Sequence, residues 1–545
     1  MSAAERSRLA DLFPGSRPID WLSRRASALV AGRLLRDGSA LWAAEPLRVQ
    51  EAIDKVERAW GLGRDPAVAI QLATMYDKAN RHDDALTVLR EAHADDPRHA
   101  LVRHHAAITL LRHGRPDDVR AFFDSVLEVD PDDAFARFIV RLLDGYDGWV
   151  DRIAAAIEGR RSARRPFVLA LPVWGEAHGS YFLRYLCATL LSPGNLPAMA
   201  AGHDVHVVLF TTEEVEKSLH ADPLFDRLLQ HATVDVVHYG RELVDYPALM
   251  EACYGQQPVF YSQESLAFYY ARNCKFALMS CAHYAALAAG RRTDALVSCL
   301  IADAVLSDGA LPRMAGLMAT ADAVLVHAVQ MPGTSVRPLL EERFRQPDGT
   351  LCLTSESCER LYVEHIPAGN FADAERRLDP PLRVAWRVGE QGLLVHGNHY
   401  HPFCLRPASF DHPLRLTIDP VDSRFLDRTS LQASRIHLVT DASIACFSID
   451  DDPILEPPGA ASSLSVPMAS LWLWGYWGRL RGWLFRSPIR FGDAPPEAWR
   501  QAETEAAALI GDIVEGASAM EAGRPRRSSW SLSSRWLCEA RRSGK

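Results

Sequence analysis

The stretch that decides the reading is residues 293–314, TDALVSCLIADAVLSDGALPRM. Ala295–Ile301 is a short apolar run of the kind that forms a strand buried on both faces. The next carboxylate is Asp303, followed by a second apolar turn, then Ser307-Asp308-Gly309, then a helical pattern from Leu311. A carboxylate at the end of a buried strand is costly unless a cation or a set of donors meets it. Open α/β sheets place ligands at strand carboxyl ends. Asp303 and Asp308 are therefore candidate ligand or metal residues. For Asp308-Gly309 the alternative is a helix cap.

Outward from this stretch, strand-like runs alternate with helical ones. Phe167–Pro172, Asp204–Thr212, Thr233–Tyr239 and Ala323–His327 read as strands, and Tyr181–Leu191 and Ser265–Leu287 as helices. That alternation predicts a largely parallel sheet with crossover helices over residues 166–330. Neither a GxGxxG nor a GxxxxGK[ST] motif is present. Their absence argues against a dinucleotide dehydrogenase and a P-loop phosphotransferase.

The N-terminal part has a different texture. Asp96-Pro97 returns as Asp130-Pro131, and Arg81-His82-Asp83-Asp84-Ala85 returns as Arg115-Pro116-Asp117-Asp118-Val119, both 34 residues later. A two-helix unit of that period is the tetratricopeptide signature. Leu72, Ala73, Tyr76, Ala85, Leu89, Ala92 and Pro97 occupy the pattern positions of the first unit, and Ala106, Leu110, Val119, Phe123 and Pro131 those of a degenerate second. Such units bury their faces on neighbours. Residues 1–158 are therefore expected to form an all-α solenoid, with flanking helices near 40–62 and 132–158. Its expected role is binding a protein partner or buttressing the next domain.

Composition sets the outer bounds. A chain of 545 residues has room for two or three domains. A net charge of −9 argues against nucleic acid as partner. Ten scattered cysteines without a CxxC pair suggest neither a zinc ribbon nor a disulfide framework, and fit a cytoplasmic protein. Residues 331–465 carry short strand-like runs at Arg383–Val388, Leu393–His396, Leu414–Ile418 and Ile436–Val439, and read as a second, mostly antiparallel half. Asp441 is a further strand-end carboxylate. Residues 466–522 read as C-terminal helices. Within them, 466–491 sets Trp472, Trp474, Trp477 and Trp483 among Arg479, Arg481, Arg486 and Arg490. That mixture suits an interfacial helix at the inner face of a membrane, or tryptophans packed on the protein itself. The basic, serine-rich tail 523–545 is expected to be disordered.

The order of elements around Asp303 resembles the GT-A glycosyltransferases, nearest to the glycogenin and lipopolysaccharide galactosyltransferase group. Arg272 falls where that group has its helix arginine, Ile301-Ala302-Asp303 on its Asp-x-Asp, and Ser307–Leu311 on the segment after it. Of the family's downstream histidine context, His396, His399, His401 and Pro402 are shared in kind. The resemblance covers roughly residues 166–330 and extends, more loosely, to about 410. It implies a GT-A-like mixed sheet domain that transfers a sugar from a nucleoside-diphosphate donor to a glycan, lipid-linked or protein acceptor. It further implies Mn²⁺ or Mg²⁺ held by Asp303 and one of the three histidines. Arg272 and Lys275 would steady the diphosphate, and Asp308 would contact donor or acceptor. The departure is Ile301, which stands where the family has its first aspartate. With one carboxylate fewer, the alternative is a non-catalytic interaction protein on a relic fold. A metal hydrolase built on the histidine run is a weaker third reading.

Overall fold

The structure is a computed structural model. It describes residues 17–44, 48–79, 81–113, 116–257, 265–366, 383–397, 403–412, 414, 417–419, 421, 425–426, 428–441, 443–450, 466–475 and 480–522. The tail from 523, His399 and His401 lie outside these residues.

The N-terminal region is an array of antiparallel helices: α1 (Arg17–Ala44), α2 (Val49–Gly63), α3 (Pro66–Lys78), α4 (His82–Asp95), α5 (Ala100–His113), α6 (Pro116–Val129) and α7 (Ala134–Gly159). The starts of α3 and α5, and of α4 and α6, stand 34 residues apart, as the repeat requires. Local chemistry sets the boundaries. The Asp65 carboxylate accepts from Ala67 N at 2.8 Å with Pro66 as the first helical residue, and Asp133 caps α7 by accepting from Ala136 N at 2.8 Å. Arg103 is buried between Asp130 (3.1 Å) and Asp133 (3.2 Å), tying α5 to the turn before α7.

A mixed α/β sheet domain follows. Its main sheet contains β1 (Arg165–Pro172), β2 (His203–Thr211), β3 (Thr233–His238), β4 (Leu296–Cys299), β6 (Ala323–Val326), β10 (Phe403–Leu405) and β11 (Ile436–Val439). The spatial order is β11-β6-β10-β4-β1-β2-β3. Every neighbouring pair is parallel except those of β10, which runs antiparallel to both β4 and β6. A second sheet sets β5 (Ala304–Leu306), β12 (Cys446–Asp450) and β7 (Ala328–Pro332) side by side, and a third joins β13 (Ile489–Gly492), β9 (Gly392–Gly397) and β8 (Arg383–Val388).

The main sheet divides its side chains between two cores with the two-residue period of a strand. Val168 and Ala170 of β1, Val208 and Phe210 of β2, and Val297 and Cys299 of β4 join one core. Phe167, Leu169 and Leu171, Val207 and Leu209, and Leu296 join the other. The first face is covered by α9 (Leu266–Thr293) and by residues of α5, α6 and α7 such as Leu110, Phe123 and Phe138. The second is covered by α8 (Glu176–Tyr181), which continues through a π-helical turn to Leu190, and by α10 (Ala310–Leu317). Helix α9 ends at Asp294, which takes a left-handed φ of 52°, a conformation that Asp tolerates better than bulkier residues.

Three expectations are refined. The stretch 331–465 is mostly antiparallel in its pairings but shares sheets with residues 166–330: β10 and β11 belong to the main sheet, β12 lies antiparallel to β5, and β11 and β12 pair in parallel with β6 and β7. Leu414 and Ile418 are buried but outside any strand. In the segment 466–491 the second of the two readings, packing on the protein, holds for most described apolar side chains, with Val466 and Trp483 half-buried. Leu471, Leu473 and Trp474 of α12 (Val466–Gly475), with Phe485 and residues of α13 (Pro496–Ala522), share a core with α2, α3 and α4. The side chains of Trp472 and Arg481, and residues Trp477 and Arg479, lie outside what is described. Among the described residues no helix is long and apolar enough to cross a membrane.

Ile513 in α13 is fully buried against the repeats. Ile513→Ala should lower the unfolding free energy by about 2–4 kcal/mol. Amide exchange should quicken in α3 and α4 along with α13. His104 offers a second measurement. Burial first, then His105, Arg112 and Arg272, hold its pKa well below the ordinary 6.5. A histidine neutral when folded and protonated when unfolded removes stability as pH falls below about 6.5. The urea midpoint should therefore drop from pH 7 to pH 5, and drop less in His104→Gln.

Candidate functional site

From β1 the chain proceeds outward to β2 and β3, then returns to lay β4 on the opposite side of β1. The connections therefore part between β1 and β4, and their carboxyl ends flank a topological switch point, where open α/β sheets bind ligands. Two segments leave the sheet there. After β1 come Val173, Trp174 and Gly175, the last with φ of +80°, a conformation suited to glycine. After β4 come Leu300, whose N–H still donates to Ala170 O at 3.0 Å, and the turn to Asp303. Asp303 is half-buried, and its backbone carbonyl accepts from Ile449 N at 3.1 Å. From it the chain turns straight into β5 of the second sheet, where the sequence suggested only an apolar turn.

The other expected site residues are placed differently. Asp308 is a clamp: one carboxylate oxygen accepts from Gly194 N at 2.7 Å, while its own N–H donates to Leu353 O at 2.7 Å. A Cβ on Gly194 would lie 2.7 Å from both Asp308 oxygens, so the fit excludes any side chain there. Beside it, Asn195 accepts from Leu311 N at 3.2 Å, and the Ser307 hydroxyl accepts from Ala445 N at 3.1 Å. The Ser307-Asp308-Gly309 signal thus marks a junction of four chain segments. Gly309, at φ +80°, is the residue before α10 and no side chain caps that helix, so Asp308 does not play the capping role given as the alternative.

Arg272 and Lys275 lie on the first half of α9. His283 of the same helix bonds the Leu300 carbonyl (3.0 Å), which fixes the level of the end of β4. At about 1.5 Å per residue, Arg272 stands roughly 16 Å, and Lys275 roughly 12 Å, further along the helix axis. Arg272 rests over the Tyr269 ring at 5.5 Å and acts electrostatically on His104, so it faces the repeats. His396 is buried in the third sheet, its Nδ1 paired with Phe485 O at 2.9 Å and its ring edge-on to Trp386. Burial lowers its pKa, opposed by that carbonyl. This is a packing role in place of the expected ligand role. Asp441 closes a local turn by accepting from Ser443 N at 3.1 Å.

At the carboxyl edge, sequence reasoning missed an aromatic and cationic group. The Trp174 ring lies parallel to that of His178 at 6.4 Å and edge-on to Tyr239 at 5.7 Å. Arg337 donates to the Tyr181 hydroxyl at 2.9 Å and covers its ring at 4.8 Å. The position of Trp174, two residues beyond β1, was the available signal. For metal chemistry, the three-ligand His/Cys/Asp/Glu grouping among the described residues is Asp77, His82 and His113 in the repeats, and it does not include Asp303. Asp303 itself offers one carboxylate. That fits Mg²⁺ or Mn²⁺ only if phosphate oxygens and water supply the remaining ligands.

Residues 78–139 match the tetratricopeptide repeat family. That match spans α4, α5 and α6 and agrees with the helical pairs seen. Among solved structures, one match is a point mutant of the O-GlcNAc transferase of Thermobaculum terrenum. It has 14% identity and a TM-score of 0.18, over 42% of this chain and 45% of that one. The chain thus spans under half the length of that protein, and at such a score the likeness carries no argument. No curated protein matches the chain.

Asp308→Asn should cost about 1–2 kcal/mol of stability by weakening the charge-assisted bond from Gly194. Gly194→Ala should cost more, since a methyl has no room. Thermal denaturation of both variants checks the clamp.

Proposed function

We propose that the sheet domain is a GT-A-like glycosyltransferase. It would take a nucleoside-diphosphate sugar at the crevice between β1 and β4 and pass the sugar to a glycan, lipid-linked or protein acceptor. The observation that carries this is the position of Asp303, a half-buried carboxylate on the turn that leaves β4 at the switch point. The resemblance in the surrounding sequence supports it. Asp303 would meet a divalent ion through its carboxylate, and the donor diphosphate would complete the shell. Such an ion offsets charge that builds on a departing diphosphate. Of the histidines, His399 and His401 remain the proposed partners. The strand they precede, β10, begins at Phe403 opposite Cys299, four residues before Asp303. Arg272 is not part of this proposal, because it faces the repeats; Lys275 keeps its proposed role of steadying the diphosphate.

The repeats would bring a protein partner or acceptor to this edge. Their inner end is already committed, since α5, α6 and α7 share a core with the sheet. A second reading has its own observation: with Ile301 in place of an acid and Asp308 engaged in a clamp, the domain could serve as a non-catalytic scaffold for the repeats.

The two readings separate in one experiment. With Mn²⁺, a uridine, guanosine, adenosine, cytidine or thymidine diphosphate should raise the melting temperature of the full chain. Ligand at a hundred times its Kd contributes about 2.7 kcal/mol. Asp303→Ala should abolish the shift in a variant that circular dichroism shows to be folded. A folded chain that answers to none of the five, while Ile301→Asp does answer, establishes the scaffold reading.

A further inference from the structure

Three helix ends of the repeat array meet on one edge. Asp77 lies in the last turn of α3, His82 opens α4 and His113 closes α5. One Asp77 carboxylate oxygen lies 2.8 Å from His82 Nδ1 and 3.1 Å from His113 Nε2. All three ligand atoms fall within 4.8 Å of one another. The imidazoles are stacked, with centroids 3.4 Å apart and planes at 10°. The side chains keep 20–24% of their surface exposed, so solvent reaches the group.

We infer that Asp77, His82 and His113 form a transition-metal site, best suited to Zn²⁺, that pins three successive repeat helices together. Two imidazole nitrogens and one carboxylate oxygen are the ligand types that Zn²⁺ takes, with water in the fourth position. Metal–ligand bonds of about 2.0–2.1 Å in a tetrahedron set ligand atoms about 3.3 Å apart. The two carboxylate–imidazole spacings need to open by only a few tenths of an ångström, and the stacked rings to splay. The other Asp77 oxygen faces the Arg112 guanidinium at 3.9 Å, which is also 3.7 Å from Asp419. That outer partner orients the carboxylate, as ligating carboxylates require, while its charge weakens the hold on a cation. Burial and the Asp77 hydrogen bond act on the His113 imidazole in opposite senses. Arg428 also acts on His113. Because Arg428 pairs with Asp419, the site abuts the contact between repeats and sheet. The site is independent of the reading given to Asp303.

The test uses the full chain, stripped with a chelator and dialysed against Zn²⁺ at pH 7. Asp303→Ala is carried alongside to remove the other candidate site. Elemental analysis should find one zinc in the wild type and in Asp303→Ala. It should find at least a tenfold lower occupancy in His82→Gln and His113→Gln with unchanged circular dichroism. Should those variants unfold, Co²⁺ bound to the wild type should give a tetrahedral visible band and paramagnetically shifted protons from two histidines. No zinc in the wild type, equal zinc in folded variants, or a cobalt spectrum without histidine protons would overturn the proposal and leave a hydrogen-bonded triad only.

Discussion

The central constraint on this molecule is that β1 and β4 lie side by side, in parallel, in the middle of the main sheet, with no face toward water. Phe167, Val168, Leu169, Ala170 and Leu171 are all fully buried. A strand in that position offers apolar side chains on both sides, and both must be covered. One cover is made by α8, α10 and their neighbours. The other is made by α9 together with the repeat helices. The repeats are therefore part of the lid of the sheet as well as an array with edges of its own.

That arrangement explains several residues at once. Tyr270 of α9 stacks on Phe135 of α7 at 4.3 Å and lies edge-on to His104 of α5 at 4.7 Å. The helix that carries Arg272 is thus the seam between the two regions. The far side of the repeats is closed in the same way by α12 and α13, where Leu473, Trp474 and Ile513 enter the core with Leu72 and Leu89. A tryptophan-rich segment near the end of a chain can serve an apolar membrane or an apolar protein face equally well. Here the described side chains of that segment meet protein.

With both faces taken, the sheet keeps only its carboxyl edge for chemistry. The chain parts between β1 and β4 at that edge, and Trp174 and Asp303 lie on the segments that leave the two strands there. The Ser307–Asp308 junction, a few residues on, fixes how the second sheet hangs from the first. Gly194, Leu353 and Ala445 all bond to it, so the turn bearing Asp303 is held from one side by a network of short hydrogen bonds. A carboxylate that looked like chemistry in the sequence is part of the support for a neighbouring one.

The sequence by itself determined what depends on local periodicity. The 34-residue offset between equivalent positions placed the helical pairs, because each helix carries its small and large residues at fixed spacing. The largely apolar runs at 167–172, 204–212 and 323–327 located β1, β2 and β6, because a strand covered on both faces has few polar positions to spare. Only the tertiary structure decided where the functional groups went. Asp303 and Asp308 are both acids after apolar runs, and nothing local separates one that turns into a second sheet from one that accepts a backbone N–H from Gly194. Arg272 and His396 are likewise ordinary polar positions in a helix and a strand. Their neighbours, Tyr269 and the Phe485 carbonyl, come from packing. The meeting of Asp77, His82 and His113 follows from the repeat geometry, which carries helix ends 31 residues apart in the chain to one edge. Burial and long-range contact fix such roles, and neither is a property of a short stretch of chain.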